Sequence, residues 1–261
     1  MQTRSKSTTP RRATLTMAVG ALLLGLTLHP AKPASPVVDP PARSAANATR
    51  ADQEYFLMTA KIVHSEPVPG VEGATRVTLS NGPITGQALV RTIDAYQYRW
   101  ATIRDSYRYN VAAYRLGKML GLAAVPVTVQ REVDGRMASV TMWPDKSSAL
   151  DENADLVAFR QLVYAPINDR SNLPATLSSA DYTQAFALCD ELPDPRDLSP
   201  LSPDFRYRLQ ELDRHELSNQ LGALLSKKEI EFLWERRHEL LEHSGNVVAR
   251  IPADNSNPAE N

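Results

Sequence analysis

Between Asp105 and Trp143 the apolar residues change their period, and that change constrains the architecture more than any other feature of the chain. Tyr109, Ala112, Ala113, Leu116, Met119 and Leu120 recur every three or four residues, which puts them on one helical face. Asp105 or Ser106 stands where a helix is capped, and Gly121 stands where it stops. From Val127 the period becomes two: Val127, Val129, Arg131 and Val133 alternate with Thr128, Gln130 and Glu132. After Asp134-Gly135 the alternation resumes at Ala138, Val140 and Met142, and Asp-Gly between two such runs predicts a tight hairpin. A helix followed by a strand, a two-residue turn and a second strand is the segment around which the rest must fold.

Upstream, Arg76–Leu79 and Ile84–Thr92 read as two strands joined at Asn81-Gly82, with Pro83 expected to make their pairing irregular. Order is expected from near Tyr55. Downstream, residues 144–204 are interrupted by prolines, and Val157–Ile167 reads as one helix ended by Pro166. Two helices follow from Asp204. The first is expected to bury Leu209, Leu212, Leu217, Leu221 and Leu224 or Leu225. The second opens on the capping box Ser226–Glu229 and carries Ile230, Leu233, Trp234, the Arg237 stem and Leu241. Strands in one half and helices in the other give an α+β class.

The N-terminus carries Arg4, Lys6, Arg11 and Arg12 without an acidic residue, ahead of the apolar run Ala13–Leu28. A basic head and an apolar run shorter than the roughly 20 residues of a spanning helix read as a signal peptide or N-terminal anchor, assigned to residues 1–35. Arg11-Arg12 also fits the start of a twin-arginine signal. The body of the chain is therefore expected outside the cytoplasm, periplasmic or in the cell envelope, touching a membrane only through that segment. Residues 36–52, rich in Pro, Ala and Ser, read as a disordered linker, and 246–261 as a disordered tail. Asn47-Ala48-Thr49 spells a glycosylation sequon and is read as a chance match.

The 261 residues carry a formal net charge of −1, so no global basic field gathers nucleic acid. Cys189 is the only cysteine, which excludes an intrachain disulfide, and is expected to be a buried, inert thiol. The sequence lacks GxSxG, GxxxxGK[ST] and GxGxxG. His238 and His243 are five residues apart, about 140° around a helix, and so cannot chelate a metal as an i, i+4 pair does.

The stretch Asp105–Trp143, with its "VAAYRL", "GLAAVPVTV" and "EVDGRMASVTMW", closely resembles the small lobe of a bacterial protein-kinase-like family related to HipA-like, phosphatidylinositol-kinase-like and secretory-pathway kinases. The resemblance extends more loosely to "GVEGATRVTL", "QLVYAPINDRSN" and "ADYTQAF". It implies a two-lobed protein-kinase-like fold, with a small β-rich N-lobe over 53–145 and a shortened, mostly helical C-lobe over 146–245. It also implies roles. Arg91 stands where the family has its phosphate-holding lysine, and Asn110 where the glutamate paired with that lysine stands. Asp169 falls at the catalytic base and Asp181 at a metal-binding aspartate. Pro174 occupies the place of the metal-binding asparagine.

A lysine–glutamate pair aims the phosphates in such enzymes, and an arginine facing an amide makes no ion pair and has another donor geometry. The resemblance therefore implies a degenerate member, an exported pseudokinase serving as a binding or scaffolding module without cofactor. Two alternatives stand beside it. One is an active phosphotransferase using ATP and magnesium, with Arg91 on the phosphates and Asp169 and Asp181 sharing the metal. The other is a structural envelope protein that offers the apolar faces of its last two helices to a protein partner.

Overall fold

The computed structural model describes residues 43–96, 104–143, 153–164, 180–189, 191–192 and 200–248. The chain enters through a short strand β1 (Arg43–Ser44), a 3-10 turn at Ala45–Asn47 and helix α1 (Arg50–Thr59), whose N-cap Thr49 accepts from Asp52 N. Residues 43–52, within the stretch read as a disordered linker, carry this regular structure. Ala45, Phe56 and Leu57 supply the reason: each is buried against the sheet that follows.

That sheet consists of β2 (Lys61–Pro67), β3 (Ala74–Ser80), β4 (Ile84–Arg91), β7 (Thr128–Val133) and β8 (Arg136–Met142), antiparallel in the order β2-β3-β4-β8-β7. β1 adds a parallel pairing to the start of β4. The β3–β4 register runs without a break from Ala74↔Arg91 to Ser80↔Thr85, so Pro83 does not disturb it. Pro83 lies beyond the last pair, and its carbonyl accepts from Arg43 N at 2.9 Å. The irregularity falls instead on edge strand β2, where the register shifts between Ile62 and His64. The Asp-Gly hairpin forms as its residues dictate, with Asp134 at φ 49° and Gly135 at φ 76° between β7 and β8. A separate two-stranded ladder pairs β5 (Asp94–Tyr96) with β6 (Arg104–Ser106).

Helix α2 (Tyr107–Met119) starts at the cap Ser106, whose side chain accepts from Arg108 N, and Gly121 leaves it at φ 73°. It buries more than one face. Tyr114 joins Phe56, Val77, Val90 and Val140 in the sheet core, whereas Tyr109, Ala112, Ala113, Leu116 and Leu120 join the helical core. α2 is therefore the shared wall of two cores.

The helical half contains α3 (Ala154–Val163), irregular segments over 180–189 and 191–192, α4 (Pro203–Glu211), α5 (Arg214–Leu221) and α6 (Lys227–Val248). α3 starts three residues earlier than the periodicity predicts, because Asn153 caps Leu156 N at 2.8 Å. The helix expected from Asp204 through Leu225 is two helices. Asp213 ends the first and caps the second by accepting from His215 N and Glu216 N at 2.8 and 3.0 Å. α6 opens on the expected reciprocal box between Ser226 and Glu229. It runs into the stretch read as a tail, reaching Val248.

Two consecutive arginines of α6 brace its neighbours. Arg236, fully buried, donates to Leu162 O at 2.7 Å, to Ala187 O and to Cys189 O. Arg237 donates to Leu209 O and Gln210 O at 2.7 and 2.6 Å and stacks over Trp234. Carbonyls at the ends of α3 and α4, which no further helical turn can satisfy, are thereby closed. The faces of α4, α5 and α6 bearing Leu209, Leu217, Leu221, Ile230, Leu233 and Leu240 line the chain's own core. Cys189 is half-buried rather than buried, and His238 is exposed.

Candidate functional site

Alternation along β4 sends Ala88 and Val90 into the core beneath α1 and α2 and sends Leu89 and Arg91 to the opposite face. There Leu89 and Ala74 pack with Val68, Val71 and Trp143, so the turn between β2 and β3 lies on that face. Arg76 stacks 4.7 Å over the Trp143 ring and donates to Gln87.

Arg91 ends the strand and is 2% exposed. Its guanidinium serves four partners from three other chain segments. Nη1 donates to the carbonyl of Glu72 in the β2–β3 turn, and Nη2 donates to Thr183 Oγ1 at 3.1 Å. Nε lies 3.3 Å from Asp181 Oδ2, and Nη2 lies 3.7 Å from Asp105 Oδ1. Asp181 Oδ1 accepts from Thr183 N at 3.1 Å, and Gln184 donates to Asp105 Oδ2. Two buried carboxylates thus meet one buried guanidinium. Such a group survives burial only where hydrogen bonds accompany the charges, and here a backbone N–H, a hydroxyl and a carbonyl do so.

Asn110 is 1% exposed. Its Nδ2 donates to Ser139 Oγ at 3.0 Å, and its Oδ1 accepts from Tyr182 N at 2.5 Å. Ser139 is the register partner of Arg91 across β4 and β8. The amide therefore ties α2, the sheet and segment 180–189 without touching Arg91. Tyr164 OH donates to Asp181 O at 2.8 Å, and Tyr164 and Tyr182 stack 5.8 Å apart. Phe186, at φ 58°, holds a left-handed backbone that few non-glycine residues adopt, with its N–H donating to Val163 O.

Of the four residues singled out from the sequence, the structure brings Arg91, Asn110 and Asp181 into one buried cluster, while Asp169 lies outside the described residues. The expected facing of Arg91 and Asn110 is absent: the guanidinium turns to carboxylates and the amide to Ser139 and Tyr182. Sequence reasoning missed Thr183 and Ser139, which carry no motif. It took Asp105 only as a cap candidate, a task that falls to Ser106. Within this arrangement the groups implied for phosphate and metal are engaged by protein partners. Asp181 spends one oxygen on Thr183 N and turns the other to Arg91, and Arg91 has its donors on protein groups. Among the described residues no cluster of three or more His, Cys, Asp or Glu is placed to hold a metal ion. No described helix is long and apolar enough to cross a membrane.

No protein-family profile matches the chain, and no curated protein matches it. Among solved structures it is similar to the crystal structure of the Golgi casein kinase with Mn/ADP bound, at 13% identity and a TM-score of 0.48 over 77% of each chain.

Proposed function

We propose that the chain is an exported, kinase-like protein with a degraded catalytic apparatus, a pseudokinase that acts as a binding or scaffolding module in the cell envelope. The observation that carries this reading is the fate of Arg91. The residue at the position implied to hold phosphates is buried and spent on Asp181, Asp105, Thr183 and the Glu72 carbonyl. An incoming phosphate would have to displace all four, and the metal-binding role implied for Asp181 would have to displace Arg91. Pro174, at the place of a metal-binding asparagine, offers no ligating side chain. The export half of the reading rests on the basic head and apolar run of residues 1–35.

Thermal unfolding with and without ATP and magnesium tests it. A ligand at a hundred times its dissociation constant adds about 2.7 kcal/mol of stability. The expected result is an unchanged, cooperative transition. A magnesium-dependent upward shift would sink the proposal and restore the phosphotransferase reading.

A further inference from the structure

The face of the sheet that bears Arg91 is closed by the chain's own turn. Leu89 and Ala74 lie on it at 0% and 4% exposure, and Val68, Val71 and Trp143 pack over them. Two of those three covering residues, Val68 and Val71, belong to turn 68–73, which joins β2 to β3.

Little else holds that turn down. Val68 and Val71 are half-buried, whereas Pro69, Gly70, Glu72 and Gly73 are exposed. Val68 N donates to Ala74 O at 3.0 Å, and Val71 N and Ala74 N donate to Val68 O and Val71 O at 3.3 Å. The backbone of the turn is thus bonded to itself and to the first residue of β3. Beyond that, among the described residues, its carbonyls reach two groups: Glu72 O accepts from Arg91 Nη1, and Gly73 O accepts from Thr92 N at 3.3 Å. Gly70 and Gly73 stand at φ 75° and 64°, on either side of Val71, where glycine sits without strain. The ladders that flank the turn end at Pro67↔Thr75 and Ala74↔Arg91. A segment held by two half-buried valines and two outward hydrogen bonds opens at less cost than the sheet beneath it.

We infer that turn 68–73 is a strap that shuts the Arg91 face of the sheet, with Gly70 and Gly73 as its pliant points and Arg91 as its latch. Closed, it fills with Val68 and Val71 the recess that Leu89 and Ala74 floor and Trp143 walls. Arg91 holds Glu72 O through Nη1 while Nη2 and Nε engage Thr183 and Asp181, so one guanidinium fastens the strap to segment 180–189. Lifted, the strap uncovers an apolar recess beside a guanidinium that has lost an acceptor, a place for a flat apolar ring that carries an anionic oxygen. The inference rests on the binding-module reading and gives it a gated surface. Its test contains no nucleotide, so a failure here leaves the ATP melting test of that reading standing.

That test is amide hydrogen exchange of the full-length chain, resolved to single amides. The acceptors of Ala74 N and Thr92 N lie on the strap. In the wild type those two amides are expected to exchange together, at least about tenfold faster than the β3–β4 ladder. Val68→Ala/Val71→Ala is expected to speed both a further several-fold and to raise several-fold the fluorescence of added 1-anilinonaphthalene-8-sulfonate, an aromatic anion. Val63→Ala, which trims an exposed valine of β2, is expected to do neither. Arg91→Lys, whose single ammonium cannot serve the strap and segment 180–189 together, is expected to speed the same two amides more than the ladder. Strap amides that exchange only with the ladder would overturn the proposal, and the wild-type comparison decides this by itself if the double variant does not fold. A response to Val63→Ala as large as that to the double variant would overturn it too, and indifference of both amides to Arg91→Lys would overturn the latch.

Discussion

Arg91 Nε and Asp181 Oδ2 lie 3.3 Å apart with both side chains out of solvent, 3% and 1% exposed. One belongs to the sheet and the other to a segment 90 positions later, so the contact fixes the relation of the two halves. Breaking a buried pair by removing one member leaves a charge that neither water nor a partner stabilises, at a cost of about 3–5 kcal/mol. Arg91→Met is therefore expected to lose that much in urea unfolding at pH 7, because it strands Asp105 as well as Asp181. The double variant Arg91→Met/Asp181→Leu is expected to recover a large part of the loss. A single-variant cost below about 1 kcal/mol would show the pair to be incidental.

Asn110 makes a second, neutral tie beside the first. Asn110→Ala leaves the Tyr182 N–H and the Ser139 hydroxyl without their partner in a buried place. Each such orphan costs about 1–3 kcal/mol, so thermal unfolding is expected to show a clear drop. Hydrogen exchange sharpens the test: the Tyr182 amide is expected to lose protection while the β3–β4 ladder keeps its own.

The legible part of this architecture was written in periodicities and turn residues. Asp134-Gly135 and the change of period at Gly121 are local signals, and they located α2, β7 and β8 within a residue or two. The break between α4 and α5 escaped notice because Leu209 and Leu212 on one side of it and Leu217 and Leu221 on the other each keep a helical spacing, although the step from Leu212 to Leu217 is five residues. The aspartate that interrupts them, Asp213, reads equally as a solvent-facing residue. The candidate site was legible only in part for a different reason. Arg91, Asn110 and Asp181 stand at positions that the resemblance marks, whereas Thr183, Ser139 and the Glu72 carbonyl enter through tertiary proximity, for which one sequence carries no sign. Arg236 was hidden likewise: on α6 it looks like a surface cation, and only the end of α3 and the carbonyls of Ala187 and Cys189 make it a buried brace.

Tyr114 predicts a pH dependence. Burial first, then its hydrogen bond to the Glu54 carboxylate, pushes its pKa up from 10.0 to about 12. The folded state holds this proton more tightly than the unfolded state does. Its contribution is thus full below pH 10 and lost as the pH rises through about 12. Glu54 has the opposite sign: its lowered pKa stabilises above the ordinary value of 4.5, and that gain is lost as the pH falls through the folded value. The stability gap between wild type and Tyr114→Phe is expected to hold from neutral pH to 10 and to narrow toward 12. A gap that widens in alkali would contradict the assignment.

Gly117 sets helix propensity against packing. Alanine is better than glycine in a helix interior by about 1 kcal/mol. A Cβ at Gly117, however, would meet Val125 Cγ2 at 2.8 Å and Cβ at 2.9 Å. Val125 is buried and β-branched, so it has little room to rotate away. Gly117→Ala is expected to be net destabilising by about 1–2 kcal/mol, and Val125→Ala in the same chain to cost less than the sum of the two single changes.

The pseudokinase proposal supplies the last prediction, because it implies two changes that would repair the pair on paper. Arg91→Lys with Asn110→Glu restores the implied residue types, but the surroundings are built for others. A lysine ammonium is a single point of charge and cannot serve Glu72 O, Thr183 Oγ1, Asp181 and Asp105 together, as the forked guanidinium does. A glutamate at 110 loses the donor that Ser139 receives and brings a third carboxylate beside Asp105 and Asp181. The double variant is expected to melt below the wild type and to release no ADP from ATP above the wild-type background with magnesium or manganese. Measurable turnover would mean that the two substitutions alone had silenced an otherwise competent site, and that the cluster around Arg91 is a consequence of the loss rather than a structure built in its place.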